Sequence, residues 1–459
     1  MIANLLKPEL HELIERRDFN RLRDLLTEFP AADVAEILSE LAPDDRAVTL
    51  RILPHHLAAD VFEHLELENQ EQLLRALGNE QVARILNEME PDDRTAILEE
   101  LPAAATRHLL NLLSPEERSI AVTLLGYPEG SIARRMTPEY VMIHEDWTVD
   151  RVLDHIRRIG RKLESFNQLF VVGADRKLIG MVRLRNLLVA AGDTSVRDLM
   201  EPEGIALRAN DPQEEAIEAF KRYDRTALPV VDSDNRLVGM LTVDDVLDIA
   251  EEETTEDMQK MGGMQALDSS YLQTSLLGMI QKRVGWLVLL FLGQMLTASA
   301  MAHYEDELAA ALILAVFIPL IISSGGNSGS QASTLIIRAM AVRDVELRDW
   351  WKVFRRELAS GLALGGILAV IGFLRIVLTP DRSHVFTEHY LLLGVAVSLS
   401  IAGVVLFGSL VGAMLPFLLR RARLDPAVCS APFVATFVDV TGIIIYFSVA
   451  KCVLTGTLL

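Results

Sequence analysis

Asp439 is an acid in the middle of a run without other charges that extends from Pro426 to the residue before Lys451. An ionised carboxylate at the centre of a membrane helix costs about 2.5–3.5 kcal/mol on insertion scales, so its presence points to an ion or proton pathway. A second unusual stretch runs from Pro319 through Gly325, Gly326, Asn327, Gly329 and Gln331 to Thr334. Proline and three glycines disfavour a plain helix there, so the segment is expected to bend or unwind. Freed carbonyls and the Asn327 and Thr334 side chains would then offer oxygens to a hydrated cation. The competing reading is close helix packing of the Gly-x-x-x-Gly kind through Gly325 and Gly329. Mg²⁺ keeps its waters and prefers octahedral oxygen geometry, so one carboxylate with a few polar oxygens suits it.

Acids are also crowded outside the apolar segments. Fifteen lie between Asp211 and Asp257, against Lys221, Arg222, Arg225 and Arg236. Such a density is either a solvated face or a set of carboxylates that divalent cations screen, compacting the region when bound and loosening it when lost.

The elements that must hold these groups fall into two kinds. Composition changes near Arg283. Beyond it lie five stretches almost free of charge, 284–302, 308–337, 358–374, 390–419 and 426–450, each long enough to cross about 30 Å of hydrocarbon. Placing the acidic half in the cytoplasm puts Lys282, Arg283, the basic loop from Arg338 to Arg356, and Arg420, Arg421 and Arg423 inside. It leaves Arg375, Arg382 and Lys451 outside, with the acidic loop at 305–307 and the C-terminus. The N-terminus shows no secretory pattern. Cys429 and Cys452 are too few for a disulfide framework and are read as packing residues. His55 and His56 lack further ligands at metal spacing. In the apolar half His303, His384 and His389 fall at helix ends, which disfavours a membrane-embedded hydrolase. A formal charge of −20 argues against nucleic acid as a partner.

Two internal repeats organise the first half. Between residues 30 and 127 a pattern such as Ile37–Leu38, Leu41, Leu50, Leu53 recurs every 24 residues. Pro43, Pro91 and Pro115, each followed by two acids and an arginine, open helices, and Leu67 takes the remaining position. This predicts paired short helices stacked as a solenoid. From 132 to 250, Met136–Thr137–Pro138 matches Met200–Glu201–Pro202. Likewise Leu169–Val172 and Leu178–Val182 match Leu228–Val231 and Leu237–Leu241. These copies read as β-α-β-β-α units and resemble a tandem CBS module, a type that senses adenosyl ligands or ions. The corresponding adenosine signature is Thr242–Val243–Asp244–Asp245 in the second copy. The first has Arg183–Leu184–Arg185–Asn186 there. Thr242 and Asp245 are therefore candidates for ATP or a related nucleotide, with helix capping as the alternative.

With the Pro319–Gln331 motif and Asp425–Pro426…Pro432–Phe433–Val434–Ala435–Thr436…Asp439–Val440–Thr441–Gly442, the whole chain resembles the MgtE-type magnesium transporter or channel family. The resemblance implies a multi-domain architecture. A helical N-domain (1–130) is followed by CBS units (131–196 and 197–250), a connecting helix (251–282) and a five-span pore domain (283–459). It implies a homodimer in a bacterial inner membrane, in contact with lipid, with the pore between subunits. Mg²⁺ would bind at Asp439 and the Ala435 carbonyl. Cytoplasmic Mg²⁺ would close the channel through Glu214, Asp224, Asp245, Asp248, Glu256 and Asp257. No catalytic residue is expected. The rival reading is a CBS-regulated transporter of Co²⁺, Mn²⁺ or another solute.

Overall fold

A computed structural model describes residues 10–458 apart from 161, 162, 164, 203, 268–270, 273, 381–385 and 387. Arg382 and His384 lie outside the described residues. Two compact units emerge, 1–253 and 254–459.

In the first unit helical residues 10–15 are followed by helix α1 (Phe19–Leu26) and, among the described residues, four helix pairs. These are α2 (Ala31–Ser39) with α3 (Pro43–Ile52), α4 (His55–Glu63) with α5 (Leu67–Ala76), α6 (Asn79–Glu88) with α7 (Pro91–Glu100), and α8 (Ala103–Leu110) with α9 (Pro115–Leu125). The periodic leucines and isoleucines form one buried cluster running from Leu10 to Ala121. The polar positions of the repeat have an equally regular use. In the fourth position of each second helix, Arg46, Gln70, Arg94 and Arg118 donate to the carbonyls of Leu38, Phe62, Leu86 and Leu110, eight residues back. Those carbonyls belong to the last turn of the preceding helix, which lacks intrahelical donors. The side chain at this position, arginine in three pairs and glutamine in one, is thus a C-cap for its partner helix. Arg94 is fully buried and also bonds Glu117 at 2.5 Å, joining one pair to the next.

Each CBS copy has a small sheet. In the first, β1 (Met142–Ile143) lies parallel to β2 (Gln168–Val172). That strand pairs antiparallel with β3 (Leu178–Arg183), and β4 (Glu201–Pro202) completes the sheet. In the second, β5 (Leu207–Arg208) lies parallel to β6 (Ala227–Val231), which pairs antiparallel with β7 (Leu237–Thr242). Helix α10 (Val149–Ile159) and its counterpart α11 (Glu214–Tyr223) fill the crossovers. The Met-x-Pro repeats have a reciprocal role. A Cβ on Gly239 would sit 2.5 Å from Met136 Sδ and 2.9 Å from the Thr137 carbonyl, and one on Gly180 would sit 2.8 Å from the Glu201 carbonyl. Each copy's strand glycine admits the entry or exit segment of the other.

Helix α12 (Val243–Met261) leaves the second copy and ends in the membrane unit. Among its described residues that unit contains five helices long and apolar enough to span: α13 (Leu276–His303), α14 (Ile318–Ala341), α15 (Trp350–Val377), α16 (Tyr390–Arg421) and α17 (Ala431–Leu454). The irregular backbone expected within the glycine motif lies earlier, in a 3₁₀ stretch at Leu312–Phe317, anchored by the Tyr446 hydroxyl donating to the Leu314 carbonyl at 2.9 Å. From Ile318 onward α14 is continuous, with Pro319 in its first turn where its missing N–H costs nothing. The glycines pack helices instead. A Cβ on Gly325 would lie 2.8 Å from Val438 Cγ1, and one on Gly329 3.0 Å from the Gly408 carbonyl. Gly408 and Gly412 of α16 in turn abut the Gly325 and Gly329 carbonyls. Two small-residue ladders interlock, as close packing in lipid requires.

Candidate ion-binding sites

The membrane site is built from α13, α14 and α17. Asp439 is half-buried on α17. Its Oδ2 accepts a hydrogen bond from Gln294 Nε2 of α13 at 3.0 Å. Its Oδ1 faces α14 at Gly326, where a Cβ would be 3.8 Å away. Along α14, Asn327, Gln331 and Thr334 are exposed and fall at helical spacing on one side, with Ser323 accepting from Asn327 Nδ2 at 3.4 Å. Exposed amides and a hydroxyl on a membrane helix face water or another protein surface rather than lipid chains. Ala435, one turn before Asp439, packs against Gly326. Its carbonyl is a helix-interior acceptor, which leaves one lone pair for a cation or its water. The other side of α14 is tied down by hydroxyls: Ser328 with Ser409 at 2.6 Å, Ser330 to the Ala431 carbonyl and Ser333 to the Cys429 carbonyl, both at 3.0 Å. Pro319, Gly325, Gly326 and Gly329 thus shape α14, while Asn327, Gln331 and Thr334 supply its oxygens.

Outside the spanning helices the acids divide into those brought together and those kept apart. Glu214 begins α11 and Asp224 ends it in a left-handed conformation, so the two lie roughly 15 Å apart along the axis. Glu256 accepts from Lys260 Nζ at 2.6 Å, and Lys260 also donates to Asp425 Oδ2 at 2.8 Å. These two carboxylates hold the ammonium strongly protonated, outweighing its burial. Asp257 follows Glu256 on α12.

Asp245 and Asp248, by contrast, join a crowd that includes acids from the helical repeat. Glu63 accepts the Glu90 backbone N–H at 2.8 Å. Asp245 is in hydrogen-bond contact with the Asp92 carboxyl as well as with Thr242. Burial first, then mutual repulsion, raises Glu63 and Glu90 to about 8 and Asp93 to about 6. Burial also raises Asp245, Asp248 and Glu252, with Arg135 opposing it at the last two. Two carboxyls in hydrogen-bond contact need a shared proton or a cation between them. Among the described residues no three His, Cys, Asp or Glu side chains converge closely enough to hold a metal directly. The oxygen-only, negatively charged donor set nevertheless fits a hydrated Mg²⁺, which binds largely through its own waters. Glu63, Glu90, Asp92 and Asp93 are the residues that sequence reasoning passed over. Asp92 and Asp93 were visible only as acids at a helix start, a position they also occupy.

The candidate nucleotide residues adopt the capping arrangement. Asp245 accepts from both the Thr242 N–H, at 3.3 Å, and its hydroxyl, at the junction of β7 and α12.

A helical solenoid and tandem CBS copies, attached to five apolar helices with a carboxylate beside a polar stripe, define a regulated multi-pass transport protein. Comparison with known proteins makes this specific. The sequence profile of the MgtE divalent cation transporter family matches residues 318–449. That of the MgtE intracellular N domain matches 29–130, and CBS profiles match 130–193 and 196–252. The chain is 40% identical over 448 residues to the magnesium transporter MgtE of Thermus thermophilus, covering 97% of this chain and 98% of that one. It is 29% identical to the Bacillus subtilis magnesium transporter MgtE, covering 95% and 93%. A crystal structure of the cytosolic domain of the Mg²⁺ channel MgtE in complex with ATP matches with TM-score 0.51 and 37% identity. The match covers 52% of this chain and 98% of that one. The chain belongs to the MgtE family of divalent cation transporters, which are not enzymes.

Proposed function

We propose that the protein is a homodimeric Mg²⁺ channel of the bacterial inner membrane, mediating Mg²⁺ uptake and closed by cytoplasmic Mg²⁺. The observation carrying the transport half is Asp439, with Oδ1 directed at α14, the helix that also bears the exposed Asn327, Gln331 and Thr334. A second copy placed against that stripe would enclose a polar path lined by a carboxylate from each subunit. Asn327, Thr334 and the Ala435 carbonyl would contact the ion's water shell. The distribution of basic loops supports a soluble unit and N-terminus in the cytoplasm and a C-terminus outside. Inward flow is then downhill, by about 4.6 kcal/mol per divalent ion per 100 mV.

For regulation, the crowded acids of the first unit would be screened by Mg²⁺ when it is abundant, and repel when it is scarce. Asp245 and Asp248 belong to this set together with Glu63, Glu90, Asp92 and Asp93. Glu214, Asp224, Glu256 and Asp257 would act at separate sites. ATP binding at the CBS module near Thr242 is supported by the ATP complex of the similar cytosolic domain. The test is uptake into proteoliposomes with controlled internal Mg²⁺. Asp439→Ala is expected to abolish flux, and normal flux in a well-folded variant would remove the pore assignment.

A further inference from the structure

We infer that Gln294 is a positioning residue for the intramembrane carboxylate, fixing Asp439 so that one oxygen alone meets the ion. This rests on the reading of Asp439 as the transport site. The contact is one of a series that sets α13 parallel to α17 in a single register. Trp286 Nε1 donates to Ser430 Oγ at 3.2 Å, and a Cβ on Gly293 would fall 2.7 Å from Thr436 Cγ2. The Tyr304 ring stacks on Phe447 at 4.8 Å, and Lys451 bonds Glu307 at 2.8 Å. Gly293 thus lets the helices approach closely beside Gln294, whose amide donates to Asp439 Oδ2 at 3.0 Å. The neighbouring residues of α13, Phe291, Leu292, Met295 and Leu296, are exposed and apolar, so the amide stands out as the polar group of that stretch.

The chemistry follows from the division of labour between the two oxygens. The amide takes one lone pair of Oδ2 and holds that oxygen toward α13, while Oδ1 faces Gly326 on the polar helix. A carboxylate held this way presents a single oxygen in a fixed direction. That geometry suits Mg²⁺, whose octahedral shell tolerates little adjustment. A carboxylate able to swing can chelate with both oxygens, which suits Ca²⁺ with its larger and more flexible shell.

The full-length protein in proteoliposomes provides the test, with Gln294→Met removing the donor and Gln294→Glu keeping shape but offering an acceptor to the ionised carboxylate. Both variants are expected to raise the KM for Mg²⁺ roughly tenfold, the scale of one hydrogen bond to a charged group, with a smaller change in maximal flux. Both should also raise Ca²⁺ flux relative to Mg²⁺. A KM and a Ca²⁺/Mg²⁺ ratio within twofold of wild type for either variant would overturn the assignment. In particular, a wild-type Gln294→Glu would reduce Gln294 to a space-filler. If Gln294→Met fails to elute as a monodisperse species, Gln294→Glu decides alone. Asp439→Ala is measured alongside: its loss of flux with wild-type behaviour of the Gln294 variants refutes positioning only, whereas its retained flux refutes the pore reading itself.

Discussion

The cost of burying a carboxylate appears twice in this chain, with different remedies. Asp439 has an amide partner, whereas Glu90, Asp93 and Asp245 have mainly one another and Thr242. Neutralising the second group should therefore relieve repulsion and mimic a bound cation. Glu90→Gln together with Asp93→Asn is expected to make the soluble half more resistant to protease in Mg²⁺-free buffer at a pH above that at which Glu90 keeps its proton, and to weaken the response of flux to internal Mg²⁺. Unchanged protection and unchanged inhibition would remove these acids from the sensor. Asp439 was conspicuous in the sequence because charge inside an apolar run is legible without a fold. Glu63 and Glu90 were not, since each is an ordinary surface-type residue until the repeat folds against α12. Gln294 was missed for the same reason, as its partner lies on the last helix.

At the scale of elements, periodicity carried far. The 24-residue repeat, the duplicated β-α-β-β-α pattern and the five apolar runs all correspond to the observed helices and strands. The glycine motif of α14 was the exception. Composition alone cannot distinguish a helix that unwinds from one that is approached closely, and here Gly408 and Gly412 on α16 supply the missing half of the packing. Gly412→Val would drive a side chain into the Gly329 carbonyl and is expected to abolish a monodisperse membrane unit, as size-exclusion chromatography in detergent would show. In the solenoid, Arg94→Met should remove a cap and strand Glu117, at a cost of about 3–5 kcal/mol. The first thermal transition of the purified protein would report it.

For the whole molecule, the raised carboxyls set a pH dependence whose sign is fixed. Their folded values, about 8 for Glu63 and Glu90 and about 6 for Asp93, lie above the ordinary range near 4. Folded protein therefore retains protons that the unfolded chain has released. Stability in Mg²⁺-free buffer should fall as pH rises from about 4 to about 8 and level off beyond. Mg²⁺ competes with those protons, so the rise in melting temperature on adding it should be larger at pH 8 than at pH 6. An equal rise at both would show that these carboxyls do not bind it.

The reach of eight residues from each Arg46-type side chain back to its partner helix makes every solenoid pair self-sealing. Length can therefore change in whole cassettes of 24 residues without exposing a helix end, which makes duplication or excision of one pair a ready route by which such a domain can grow, shrink or be re-spaced.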